Sequence, residues 1–141
     1  MRDHLSTLFD YDLWANQQWL PLCESHEPVR NLMAHILQAQ YSWYVRCMNE
    51  TDAGEQLPNL ADEAVRMNAQ WKELLRVSDP SAYIAYQDMA GNSHYNLVEE
   101  IAAHVVNHGT YHRGQLRQWA ESNGIDWPET DLIRFFRAQA V

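Results

Sequence analysis

The chain has 141 residues and a mass of 16.5 kDa, which suits one domain over 1–141. A hydrophobic share of 46% is enough for a real core and excludes a disordered chain or a stapled mini-protein. Ten basic residues against nineteen acidic ones leave a formal net charge of −9. That sign repels phosphate backbones and anionic membranes, so no nucleic-acid or membrane partner is expected.

The patterning agrees with those exclusions. Lys72 is the sole lysine and no run of Lys or Arg exists. No stretch approaches the ~18 apolar residues of a membrane helix. Met1-Arg2-Asp3-His4 is polar where a secretory leader needs an apolar segment, so a cytoplasmic protein is expected. In a reducing compartment Cys23 and Cys47 read as free thiols.

The first predicted helix runs from about Arg2 to Leu20, with Leu5, Leu8, Phe9, Leu13 and Trp19 as apolar positions and Pro21 just past its end. The second begins near Pro28, a residue suited to a first turn because its missing N–H has no partner there, and continues to about Asn49. Leu32, Ile36, Ala39 and Trp43 mark its stripe. Gly54 and Pro58 break the chain. Asn59 caps a third helix over Leu60–Val77, which Ser78-Asp79-Pro80 ends.

Residues Ala82 to Tyr95 read as a short extended excursion. Tyr83, Ile84 and Tyr86 precede a Gly91-Asn92 turn. The fourth helix is predicted to start at Asn96, with Glu99 completing a variant capping box, and to stop at Asn123, where Gly124 supplies a left-handed residue. The tail from Ile125 carries aromatics expected to cover one end of a four-helix bundle, an all-α architecture implied by long helices and short connections.

Seven histidines are present, and their spacing matters more than their number. Helix four reads His104-Val-Val-Asn-His108-Gly-Thr-Tyr-His112-Arg-Gly-Gln115. A step of four residues turns a helix by about 400°, so imidazoles at i and i+4 can converge on one ion. His108 and His112 straddle a stripe of Leu97, Ile101, Val105, Leu116 and Trp119, and are expected to point inward. Two inward imidazoles compete for hydrogen bonds, and a metal resolves this by taking a lone pair from each. A third ligand is needed, and His35, beside the stripe of helix two, is the candidate. A lone inward histidine is more often a satisfied core residue, so His35 gains weight only from the pair. His104 is a candidate hydrogen-bond partner behind a ligand, and Gln115 a candidate to orient a ligand or a bound water. Trp14, Asn16 and Arg113 are candidate cleft residues, although Arg113 also suits a carboxylate within the fold. His4, His26 and His94 read as surface residues. Gly109 and Gly114 each cost about 1 kcal/mol relative to Ala inside a helix, which predicts close approach of helix one or of a second subunit.

The His104–Gln115 segment resembles the signature of the DinB/YfiT-like metalloenzyme family. Tyr11-Asp-Leu-Trp14-Ala-Asn16, His35-Ile-Leu-Gln-Ala-Gln-Tyr-Ser-Trp43 and Asp131-Leu-Ile-Arg-Phe-Phe136 are similar to its other patterns. The likeness spans nearly the whole chain, while Glu50 to Tyr95 matches only in general character. It implies a four-helix bundle, commonly dimeric, and one divalent metal on His35, His108 and His112. Zn²⁺ and Ni²⁺ both suit imidazoles. Relatives include thiol-dependent S-transferases and a thiol-dependent maleylpyruvate isomerase, so a small-molecule substrate and a low-molecular-weight thiol are expected. Three neutral ligands leave the ion's charge uncompensated, which favours an acidified water or a thiolate in a fourth position. The competing expectation is a non-catalytic, stress-related protein with a structural or sensory metal.

Overall fold

The computed structural model describes residues 2–50, 59–79 and 81–139. Those residues form mostly helix, with a small two-stranded sheet. The order is α1 (Arg2–Ser25), α2 (Glu27–Cys47), α3 (Leu60–Val77), β1 (Tyr83–Gln87), β2 (Ser93–Leu97), α4 (Val98–Ser122) and α5 (Leu132–Gln139). Gly54, Pro58 and Pro80, expected to break the chain, lie outside the described residues. Among the described residues, no helix is long and apolar enough to cross a membrane.

Helix α1 does not stop before Pro21 but runs through it to Ser25. Pro21 is exposed, so the carbonyl deprived of a helical partner can turn to water. The added turn is held from the other side by Cys23, which is buried beside Trp19 and Val29. Cys23 therefore belongs to the helix core and not to a connection. Helix α2 starts one residue before Pro28 and ends at Cys47, two residues short of the expected limit, with Asn49 in the left-handed region at φ 55°. Helix α3 has its expected bounds, and the Asn59 side chain accepts a hydrogen bond from the Asp62 N–H at 3.0 Å.

The extended excursion is an antiparallel hairpin in which Tyr83 pairs with Leu97 and Gln87 with Ser93. It absorbs Asn96, which was expected to cap α4. The cap is shifted by one residue: Glu100, not Glu99, accepts from the Leu97 N–H at 2.8 Å. Asn96 instead accepts a hydrogen bond from the Tyr86 hydroxyl across the hairpin at 2.5 Å. At the far end Gly124 takes φ 65°, the stop its position predicted.

Helices α1 and α2 pack on each other and on both α3 and α4. Two large apolar clusters fill most of the interior, and a smaller one gathers Tyr11, Ala15 and Phe135. The first joins Leu5 and Phe9 of α1 to Trp71, Leu74 and Leu75 of α3 and to Ile101, Val105 and Val106 of α4. The second joins Trp19 and Cys23 to Val29, Met33, Ile36 and Leu37 of α2 and to Leu116 and Ala120 of α4. Between these clusters in helix position lies a buried polar layer of Asp12, Asn16, Gln40 and Arg113.

Arg113 Nη1 donates to Asp12 Oδ1 at 2.8 Å and to Asn16 Oδ1 at 2.7 Å. Asp12 Oδ2 accepts from Gln40 Nε2 and, at 3.4 Å, from Asn16 Nδ2. A charge pair at 2–3% side-chain exposure persists only because it is paired and hydrogen-bonded. Gly109 makes room for it: a Cβ there would lie 2.5 Å from Asp12 Oδ1 and 2.9 Å from Arg113 Nη1. The close approach expected at Gly109 thus comes from α1. At Gly114 nothing lies within 4 Å of where a Cβ would be.

The tail aromatics divide: Trp127 packs on the cluster of Trp19, Leu116 and Ala120 with Arg117 over its ring at 4.2 Å, whereas Phe135 lies against the middle of α1 and not over an end of the helices. Phe135 is buried beside Tyr11 and Trp14, with ring centroids 5.9 Å and 5.8 Å away. The Tyr11 hydroxyl donates to the Thr130 carbonyl at 2.6 Å, tying the segment before α5 to the same place.

Candidate metal centre

The sequence places His35 mid-way along α2 and His108 and His112 one turn apart on α4. These two helices pack directly, so the three rings meet across the α2–α4 groove. His112 Nε2 lies 3.1 Å from His35 Nε2 and 3.0 Å from His108 Nε2. The three ligand atoms fall within 4.8 Å of one another. Ligands ~2.0–2.1 Å from a tetrahedral ion stand roughly 3.3–3.4 Å apart, so small ring adjustments suffice to seat one.

The tautomer also suits a ligand. His112 Nδ1 lies 2.7 Å from Gln115 Oε1. An amide oxygen only accepts, so Nδ1 carries the proton and the Nε2 lone pair faces the shared point. An acceptor on the far nitrogen of the ring orients a metal-binding histidine in this way.

Burial and neighbouring rings favour the neutral, ligating form of His35 and His108. Burial first, then the His112, His35 and His104 rings, pushes the His108 pKa down to about 4. Burial and then His112 lower that of His35.

The cluster sits at the edge of the core. His35 is exposed and the other two are half-buried. The buried residues of α4 run from Val98 and Ile101 through Val105, Gly109 and Arg113 to Leu116 and Ala120, with Ala102 and Val106 beside them. The inward stripe is centred on Gly109 and Arg113, not on His108 and His112, because an arginine and a glycine occupy core positions that a hydropathy pattern discounts. The histidines consequently face a groove open to solvent.

The remaining candidates are distributed as follows. His104 is exposed on the next turn, its ring 5.7 Å from that of His108 and 5.4 Å from that of Trp43, with no hydrogen bond among the described residues. Asn16 and Arg113 sit in the buried polar layer. Arg113 also lines a cavity of about 130 Å³ between α4 and the segment Trp127–Asp131. Trp14 packs against Tyr11 and Phe135 of that same side. None of these three joins the histidine cluster. His4 and His94 are exposed, while His26 is half-buried against Trp119. Sequence reasoning missed Asp12 and Gln40, although both fall on helix stripes, Asp12 between Phe9 and Trp19 and Gln40 after Ile36.

The DinB family model matches residues 1–140. The chain belongs to the DinB family. It is 22% identical over 159 aligned positions to Protein DinB of Bacillus subtilis (strain 168), an alignment covering 93% of this chain and 92% of that protein. For this DinB-family chain the likeness thus extends over all the helices and includes both histidine-bearing segments.

Proposed function

We propose that His35, His108 and His112 hold one divalent ion, Zn²⁺ or Ni²⁺, and that the protein is a metal-dependent enzyme acting on a small molecule, of thiol-dependent S-transferase or hydrolase type. The observation that carries this reading is the convergence of three Nε2 atoms with His112 oriented by Gln115. A divalent ion held by three neutral imidazoles supplies a Lewis acid that favours an anionic fourth ligand, a thiolate or an ionised water. The groove side of the cluster is open, and among the described residues it contains three ligands and no fourth. That arrangement supports catalysis over a closed structural site, which ordinarily takes four protein ligands.

The protein's own residues contribute orientation and access. Gln115 fixes the His112 ring, and the exposed His35 edge admits a ligand from solvent. Neither cysteine serves as nucleophile. Burial pushes both thiols up to about 11, so almost no thiolate forms at neutral pH. The nucleophile in this reading is a free low-molecular-weight thiol or a water.

The same reading includes a four-helix bundle of α1–α4 as one domain, working as a cytoplasmic homodimer without nucleic-acid partners. The exposed Tyr83, Tyr95 and Tyr111 support a subunit contact, and the charge of −9 disfavours DNA.

The test is elemental analysis of untagged wild type and of His35→Ala, His108→Ala and His112→Ala, followed by a panel of small thiols and electrophiles. One equivalent of metal in wild type, lost in the variants, and metal-dependent turnover that survives Cys23→Ser and Cys47→Ser are expected. Full metal retention in His108→Ala and His112→Ala would overturn the site, and turnover unchanged by metal removal would overturn the chemistry.

A further inference from the structure

Beside the histidines, the hairpin closes over the α2–α4 groove and leaves a cavity of about 260 Å³. Its wall consists of Trp43 from α2, Tyr86 and Asn96 from the hairpin, and Glu100, Ile101 and His104 from α4. His104 links it to the metal cluster, because its ring lies between those of Trp43 and His108. We propose that this cavity recognises the part of the substrate remote from the reacting atom, and that it takes an apolar group tipped by an ammonium. The inference rests on the histidine cluster being the reacting centre.

Shape and polarity divide the cavity into two ends. Trp43, Tyr86 and the buried Ile101 give an apolar interior, with the Trp43 and Tyr86 rings edge to face at 5.0 Å. Glu100 stands at the polar end. Its Oε1 accepts from the Leu97 N–H at 2.8 Å and from Asn96 Nδ2 at 3.4 Å. Its Oε2 accepts nothing among the described residues. Asn96 Oδ1 already accepts from the Tyr86 hydroxyl at 2.5 Å and carries no formal charge, so it is the weaker partner for a cation. Glu100 is thus the one carboxylate in the wall, standing next to aromatic rings, a combination that binds organic ammonium groups.

Nearby charges are consistent with a cation there. Arg46 lies over the Trp43 and Tyr86 rings at 4.4 Å and 5.5 Å without lining the cavity, so these rings already face one cation. The eight-residue step from Glu100 to His108 is a rise of about 12 Å along the helix, which sets the Glu100 end of the cavity apart from the histidine cluster. The acidic chain as a whole draws cations and repels anions.

The experiment uses the full chain, both metal-loaded and stripped with a chelator, and titrates benzylamine, benzyl alcohol and benzoate by calorimetry. Benzylamine is expected to bind the stripped protein roughly tenfold or more tighter than either of the others, the effect of one charge-assisted hydrogen bond. In Glu100→Gln, which keeps an acceptor for the Leu97 N–H, that preference should fall below about twofold. Trp43→Ala should weaken all three ligands. Equal binding of the amine and benzoate, binding of none, or an amine preference that survives Glu100→Gln would overturn the proposal. Metal content of the same samples reports on the histidine cluster separately, so each reading can fail without the other.

Discussion

Gly109 offers the sharpest perturbation, because one methyl group meets the buried ion pair. In Gly109→Ala the new Cβ would stand 2.5 Å from Asp12 Oδ1, where ordinary contact requires about 3.4 Å. Asp12 cannot retreat without giving up the 2.8 Å bond to Arg113 or its bonds from Gln40 and Asn16. Breaking a buried pair by displacing one partner costs about 3–5 kcal/mol. The gain from replacing a helical glycine by alanine offsets about 1 kcal/mol. The net loss is about 2–4 kcal/mol, and at roughly 3–4 °C per kcal/mol for a chain of this size Tm should fall by roughly 6–16 °C. Gly114→Ala is the control: it sits on the same helix with open space at the Cβ, so only the propensity gain applies and Tm should rise by roughly 3 °C. Thermal melts followed by circular dichroism, with urea midpoints as a second measure, decide the matter. A Gly109→Ala variant as stable as wild type would refute the account of the polar layer.

Gln115→Leu should loosen metal about 10–100-fold with little change in Tm of the metal-free protein, since it removes only the acceptor that orients His112; competition with a chromogenic chelator reads this, and unchanged affinity would remove Gln115 from the site. Acidification should destabilise the metal-free protein through His108. Its folded pKa of about 4 lies below the ordinary 6.5, so the unfolded chain binds a proton that the folded chain refuses, and stability complete above pH 6.5 is lost as pH falls towards 4. A His108→Gln variant should lose less Tm over that window, and parallel curves for the two proteins would contradict the assignment. Cys23 and Cys47 should react with iodoacetamide about 100-fold more slowly than a free thiol at pH 7.5, given thiols pushed up to about 11. Mass spectrometry showing alkylation at the free-thiol rate would contradict the raised thiols of both.

The elements were largely legible because apolar periodicity and punctuation agree. Asn59, Gly124 and the Gly91-Asn92 turn each mark a boundary through local backbone chemistry. Pro21 misled for a physical reason: proline forbids one hydrogen bond, but it ends a helix only when nothing beyond it is worth burying, and Cys23 lies beyond it. Asn96 looked like a cap because a cap and the last residues of a strand use the same extended backbone. The three histidines could be chosen from spacing, since i and i+4 on one helix already place two rings together. Their depth could not, because Arg113 and Gly109 occupy the centre of the inward stripe. The hairpin cavity depends on Tyr86 reaching Trp43 across a tertiary contact that no local pattern encodes.

Helix α4 is divided by this arrangement into two faces with separate duties. One carries Gly109 and Arg113, locked to α1 by the polar layer; the other carries His104, His108 and His112, which face the groove and support little of the interior. Substitution on the second face is therefore decoupled from folding. Over evolutionary time such a scaffold can exchange its ligands, its substrate pocket or its chemistry altogether while the first face stays fixed and the fold is kept, so that a new activity can be selected on the same frame.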